Sequence, residues 1–217
     1  MVSKRKINEK SLYPRIEKFL LNTLKCNWVL SELGSNDVGR VDVVGIKSFK
    51  DRFSNRYEII GVEVKPKTFH FGKKIGQALA YSLFANRVYL ACHEEFSQSQ
   101  IELASRLGVG LIQIKSKAGC SEVIGSKIFD PDREKMLNLL TKMSLAECML
   151  CNSLIDLEKN YSNNLPRAIS RGIPFEFYRK IDAQYAPSYK GKKKIIFQWL
   201  YVCPSCLKLF GKHTKFK

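Results

Sequence analysis

Apolar residues recur along the first half of the chain in two rhythms. Leu12, Ile16, Phe19, Leu20 and Leu24 stand three to four apart, the period of a helix with one buried face. A helix is therefore expected from Ser11, with Pro14 tolerated in its first turn. The rhythm then changes to the two-residue period of strands. Strands are expected over 27–33, over RVDVVGI (40–46) and over 57–65, with a turn at GSND and a polar loop over 47–56. Residues 73–86 return to helical spacing, with Ile75, Ala78, Leu79, Ser82 and Leu83 inward, while Lys73, Gln77 and Tyr81 follow another face at i, i+4, i+8. A buried strand over 87–92, a helix over 97–107 and a further strand over 109–115 complete the series. Three strands in sequence followed by a β-α-β unit predict an α/β fold with a mixed sheet flanked by helices.

Polar residues interrupt two of these strands where apolar ones would suffice. Alternation puts Asp42 on a different face from Val41, and it puts Glu63 and Lys65 together on one face of the next strand. If the two strands pair as a hairpin, the three side chains converge. Carboxylates on a half-buried strand are costly unless partnered. A hard divalent cation, Mg²⁺ or Mn²⁺, would relieve that cost by taking the carboxylates and several waters as ligands. The plainer alternative is a salt bridge on an exposed sheet face.

Asp42 followed after twenty residues by Glu63-Val64-Lys65 resembles the PD-(D/E)xK nuclease superfamily, with Arg40-Val41 where that family's leading Pro would stand. Gln77 and Tyr81 add a Gln-x-x-x-Tyr pattern on the following helix, similar to one branch of the superfamily. The resemblance covers residues 11–115. It implies a restriction-endonuclease-like fold and Mg²⁺-dependent hydrolysis of phosphodiester bonds. Asp42, Glu63 and the carbonyl of Val64 would hold the metal, and Lys65 would orient water or neutralise charge on the phosphate. Gln77 would position Lys65 or the water, and Tyr81 would support the site or touch a phosphate. An acidic residue of the first helix often completes such a site; Glu17 matches, and Glu32 on the first strand is its rival.

Cysteine spacing changes the picture beyond residue 130. Cys148-Met-Leu-Cys151 and Cys203-Pro-Ser-Cys206 are two CxxC pairs, and two such pairs supply the four thiolates of a tetrahedral Zn²⁺ site. An iron–sulfur cluster is the rival, since some Gln-x-x-x-Tyr nucleases carry one. Their arrangement is one cysteine before the core and three after it; both pairs here lie after it, which favours zinc. His213 is a weaker candidate ligand. Cys26, Cys92 and Cys120 read as buried hydrophobes. His70, after the third strand, could approach a substrate, and His93 ends a strand. The organisation expected is a nuclease-like domain over 1–118, a linker and connecting helix over 119–146, and a basic zinc module over 147–217.

The chain has 217 residues and a formal net charge of +17. That excess favours a polyanionic partner, with nucleic acid ahead of membrane; the resemblance points to DNA, with RNA left open. It is concentrated late: residues 161–217 hold 12 Lys or Arg against 2 Asp or Glu. Lys190, Lys192, Lys193 and Lys194 there, with Lys73 on the earlier helix, are candidate phosphate contacts. Phe175, Phe177, Tyr178, Tyr185, Tyr189 and Trp199 are interleaved with them, as stacking groups or as a small core around the metal. No apolar run is long enough to span a bilayer and no signal core opens the chain, so a cytoplasmic protein is expected. A homodimer is left open.

Overall fold

The computed structural model describes residues 8–35, 39–50, 55–115, 119–148, 150–156, 203, 205 and 206. Lys190, Lys192, Lys193, Lys194, His213 and the late aromatic residues lie outside them. The described chain is a mixed α/β fold. A short 3-10 turn, Glu9–Leu12, leads into helix α1, Tyr13–Asn22, with Pro14 in its first turn where a missing N–H costs nothing. Three strands follow: β1 Trp28–Ser35, β2 Gly39–Lys50 and β3 Asn55–Lys65. Helix α2, Phe71–Ala80, runs into a 3-10 turn at Tyr81–Leu83. Then come β4 Arg87–Cys92, α3 Gln98–Leu107, β5 Gly110–Lys115, β6 Gly119–Ile124 and α4 Arg133–Lys142. Two short strands, β7 Leu145–Glu147 and β8 Leu154–Asp156, form a separate antiparallel pair.

Strands β1 to β6 form one sheet in sequence order. β1 and β2 are antiparallel, β3, β4 and β5 are parallel, and β6 returns antiparallel to β5. One face carries Val43, Ile60, Val62, Val64, Tyr89, Ala91, Ile112 and Ile114 against Leu12, Ile16, Phe19 and Leu20 of the first helical segment. By the period of two, Val44, Gly61, Glu63, Leu90 and Leu111 look the other way. Tyr81 lies on that side, close enough that a Cβ at Gly61 would come 3.1 Å from its Cβ. Helix ends follow ordinary chemistry. Ser97 and Gln100 form a capping box at α3, Gly108 (φ +74°) ends it, and Asp132 caps α4 through the N–H of Lys135.

Three expectations change. The polar stretch over 47–56 is largely strand, since β2 continues to Lys50 and β3 begins at Asn55; extension there rests on backbone pairing, which alternation of side chains does not report. The helix expected to Asn86 ends at Ala80 and tightens into the 3-10 turn, and Leu83 is exposed. The supposed linker contributes β6, an edge strand none of whose side chains is fully buried, so it has no core-facing stripe to betray it. The chain divides into one compact unit of residues 1–50 and 56–143 and a second of 51–55 and 144–217. Among the described residues no helix is long and apolar enough to cross a membrane.

Candidate functional sites

The sheet unit carries a buried ionic cluster near the C-terminal ends of β3 and β4. Asp42 on β2 is 7 % exposed and Glu63 on β3 is 3 % exposed. Both oxygens of Asp42 are engaged: Tyr13 donates its hydroxyl to Oδ1 at 2.9 Å and Val64 its backbone N–H to Oδ2 at 2.8 Å. Lys65 stands among three carboxylates, its Nζ lying 2.7 Å from Glu63 Oε1, 3.0 Å from Glu9 Oε2 and 3.6 Å from Asp42 Oδ2. Tyr81 donates its hydroxyl to Glu63 Oε2 and also to the carbonyl of Arg40 at 3.3 Å. Tyr13 further reaches Glu9 Oε1 at 3.4 Å.

Electrostatics follow from this crowding. Burial raises the Glu63 pKa, and the Asp42 charge raises it further, against the pull of Lys65 and Tyr81. Burial alone would lower Lys65; its bond to Glu63 and the charges of Glu63 and Asp42 more than reverse that and hold it firmly protonated. Tyr81 and Tyr13 are raised by burial and by the carboxylates they serve, so both remain hydroxyl donors. Three carboxylates and one ammonium leave two negative charges. That is the charge of one divalent cation, and oxygen donors on two or three carboxylates are the donor set such a cation takes. Buried ion clusters contribute little net stability compared with apolar packing.

Asp42, Glu63 and Lys65 come together as strand alternation suggests, and Tyr81 joins them from the turn after α2. Three further candidates stand elsewhere. Glu17 is half-buried and accepts from the Ser31 hydroxyl, outside the cluster. Glu32 is ion-paired to Lys10 at 2.7 Å and to Arg40. Gln77 is exposed on α2 and, among the described residues, makes no hydrogen bond to Lys65. Val64 enters through its N–H to Asp42. Lys73 is exposed on the first turn of α2. The acidic residue that joins the cluster from the helical segment is Glu9, together with Tyr13. Both sit one to two turns before Glu17, and Tyr13 shares its helical stripe with Leu12, Ile16 and Leu20. That register was the available signal.

The second unit carries the cysteine cluster. The sulfur atoms of Cys148, Cys151, Cys203 and Cys206 all lie within 4.8 Å of one another, with Cys151 and Cys203 at 3.7 Å. Zn–S bonds of about 2.3 Å require tetrahedron edges of ~3.8 Å, so the four sulfurs match a single tetrahedral ion. Backbone N–H groups support them: Cys203 donates to Cys148 Sγ at 3.3 Å and Cys206 to Cys203 Sγ at 3.5 Å. Burial lifts Cys148 and Cys206. Cys151 is lowered to about 7 despite burial, by the Ser153 hydroxyl and backbone N–H and by its sulfur neighbours. None of the seven cysteines forms a disulfide. Cys26 and Cys92 are buried, and burial pushes both thiols up to about 12; Cys120 is half-buried and pushed to about 11. None of the three is activated as a nucleophile.

No family model matches the chain, and no curated protein matches it. Among solved structures it is similar to a protein of unknown function from Silicibacter pomeroyi, with 15 % identity and a TM-score of 0.46 over 89 % of this chain and 99 % of that one.

Proposed function

We propose that the chain is a metal-dependent nuclease of the PD-(D/E)xK type, with a restriction-endonuclease-like core that hydrolyses phosphodiester bonds of DNA. The observation that carries this is the convergence of Asp42, Glu63 and Glu9 on Lys65, with a surplus of two negative charges when the three carboxylates are ionised. Asp42 and Glu63 would hold Mg²⁺ or Mn²⁺. Such an ion polarises a phosphate and lowers the pKa of bound water. Tyr13 and the Val64 N–H fix the Asp42 carboxylate, and Tyr81 fixes Glu63, so the ligands are oriented before substrate arrives. Lys65 turns from Glu63 towards the phosphate and neutralises charge that develops there, with Glu9 anchoring its ammonium. The four cysteines hold a structural Zn²⁺, and the basic residues 161–217, Lys190 and Lys192–Lys194 among them, grip the nucleic-acid backbone.

A second reading, a nucleic-acid-binding protein that does not cleave, is favoured by one observation. Each oxygen of Asp42 and Glu63, and Oε2 of Glu9, already has a protein donor. A cluster satisfied by its own side chains can persist without a metal. The two readings part in one assay. Linear, circular and branched DNA, with a parallel RNA panel, are incubated with and without Mg²⁺ or Mn²⁺. Metal-dependent cleavage that vanishes in Asp42→Ala supports the nuclease. Binding without cleavage by the parent protein supports the alternative, and preferential RNA cleavage moves the substrate class.

A further inference from the structure

The loop that follows Lys65 presents an aromatic ring to solvent on a braced backbone. Phe69 is 70 % exposed. Its ring lies 3.9 Å from that of His70, centroid to centroid, at 53°. Single exposed apolar side chains are ordinary on protein surfaces, but this one is held in place from both sides. Before it, Glu94 accepts from the N–H of Thr68 at 2.9 Å and from its hydroxyl at 3.3 Å, while the carbonyl of Lys67 accepts from Lys74 Nζ at 2.5 Å. After it, His70 adopts a left-handed conformation (φ 55°), its carbonyl accepting from Lys73 and Lys74 as α2 begins. Phe71 is then buried, edge-on to Phe96. The loop cannot fold Phe69 inward without releasing these bonds.

Its surroundings are cationic. Residues 65–74 contain four lysines and no Asp or Glu, and Lys67 and Lys73, two residues before Phe69 and four after it, are exposed. Four residues separate Phe69 from Lys65, a chain length that spans at most ~14 Å. That is about four stacked nucleotides at 3.4 Å each. An exposed flat ring flanked by ammonium groups complements an unpaired base and its phosphates, since every base offers a π face to stack upon.

We propose that Phe69, backed by His70, is a stacking platform for an unpaired base of the nucleic-acid strand that enters the Asp42–Glu63–Lys65 site, with Lys67 and Lys73 contacting its phosphates. The proposal rests on the nucleic-acid reading above and adds a preference for single-stranded or locally unpaired substrate. It is tested on the full chain, without added Mg²⁺ so that the strand stays intact. Binding of a labelled single-stranded oligodeoxynucleotide of about 12 nucleotides is measured for the parent, Phe69→Ala, Phe69→Leu and Phe69→Trp. Phe69→Ala and Phe69→Leu should weaken binding at least about fivefold, and Phe69→Trp should keep it. The salt dependence should be unchanged in these variants and shallower in Lys67→Ala. A fully abasic strand of the same length should not distinguish parent from Phe69→Ala. Equal affinity of parent and Phe69→Ala for the base-bearing strand overturns the platform while leaving the nuclease reading standing. A parent that binds no nucleic acid at all overturns both.

Discussion

The two clusters differ in what completes them. In the sheet unit, the carboxylates of Glu9, Asp42 and Glu63 are met by a lysine, two tyrosines and a backbone N–H, all from the chain itself. In the second unit, four sulfurs face one another at tetrahedral spacing, with backbone N–H groups on Cys148 and Cys203 and the Ser153 hydroxyl beside Cys151. The first can fold with its carboxylates hydrogen-bonded and part of their charge offset by Lys65, and still accept a divalent ion. Four converging thiolates would repel one another, so an ion held there would couple its binding to folding. The proposed catalytic and structural metals would thus meet different ligand sets: carboxylates already hydrogen-bonded within the chain, against converging thiols.

The comparison breaks most visibly in activity. Asp42→Ala or Glu63→Ala should lower Mg²⁺-dependent cleavage by at least ~100-fold, the scale of losing a key electrostatic group. DNA affinity should stay close to that of the parent, because these groups contact metal and not phosphate. Single-turnover cleavage with a parallel binding titration checks both halves. A variant that cuts at the parental rate removes the active-site assignment.

Next comes the structural metal. Purified protein should carry one Zn²⁺ per chain by elemental analysis. Chelation, or Cys203→Ser, should unfold the residues after about 143 while the sheet unit keeps its cooperative transition, since the ion ties together segments fifty residues apart. Limited proteolysis followed by mass spectrometry reads the outcome. Iron with visible absorption would replace zinc by a cluster. A metal-free protein still protected beyond residue 143 would end the model.

Smaller effects sharpen the sheet site. Lys65→Met removes the ammonium from between Glu63, Asp42 and Glu9 and should destabilise metal-free protein by about 3–5 kcal/mol, the usual result of orphaning buried charge. Added Mg²⁺ should restore much of that loss. In denaturant titrations, equal destabilisation with and without Mg²⁺ would mean that no ion binds among these carboxylates. Glu9→Gln should weaken turnover by loosening Lys65, whereas Glu17→Gln, whose partner is Ser31, should not. The reverse ranking would return Glu17 to the site.

Much of this was legible in sequence because it was local. The CxxC pairs announce themselves, since two residues between thiols is a property of the chain and not of the fold. Glu63 and Lys65 share a strand face for the same reason. Asp42 needed only the assumption that neighbouring strands lie side by side. What escaped depends on longer geometry. Glu9 reads as part of a polar lead-in, because nothing in residues 1–10 says that a 3-10 turn will carry it to Lys65. Tyr13 reads as an ordinary residue of an apolar stripe, though its hydroxyl crosses to Asp42. Tyr81 was singled out with Gln77, yet only Tyr81 turns inward, where Gly61 leaves room for it. Strand β6 escaped because an edge strand with little buried surface has no alternation to read.

Protonation links the comparison to pH. Glu63 is raised in the folded metal-free protein, so the stability it contributes is present at low pH and is lost as pH rises through its folded value. Across the same interval the carboxylate becomes available to a cation. The most direct measurement is therefore Mn²⁺ binding to zinc-loaded protein, followed by electron paramagnetic resonance at several pH values. The account predicts saturable Mn²⁺ binding to the parent that tightens with rising pH and disappears in Asp42→Asn while the zinc content is unchanged. Parent protein that binds no Mn²⁺ at millimolar concentration, or Asp42→Asn that binds it equally well, would contradict the account.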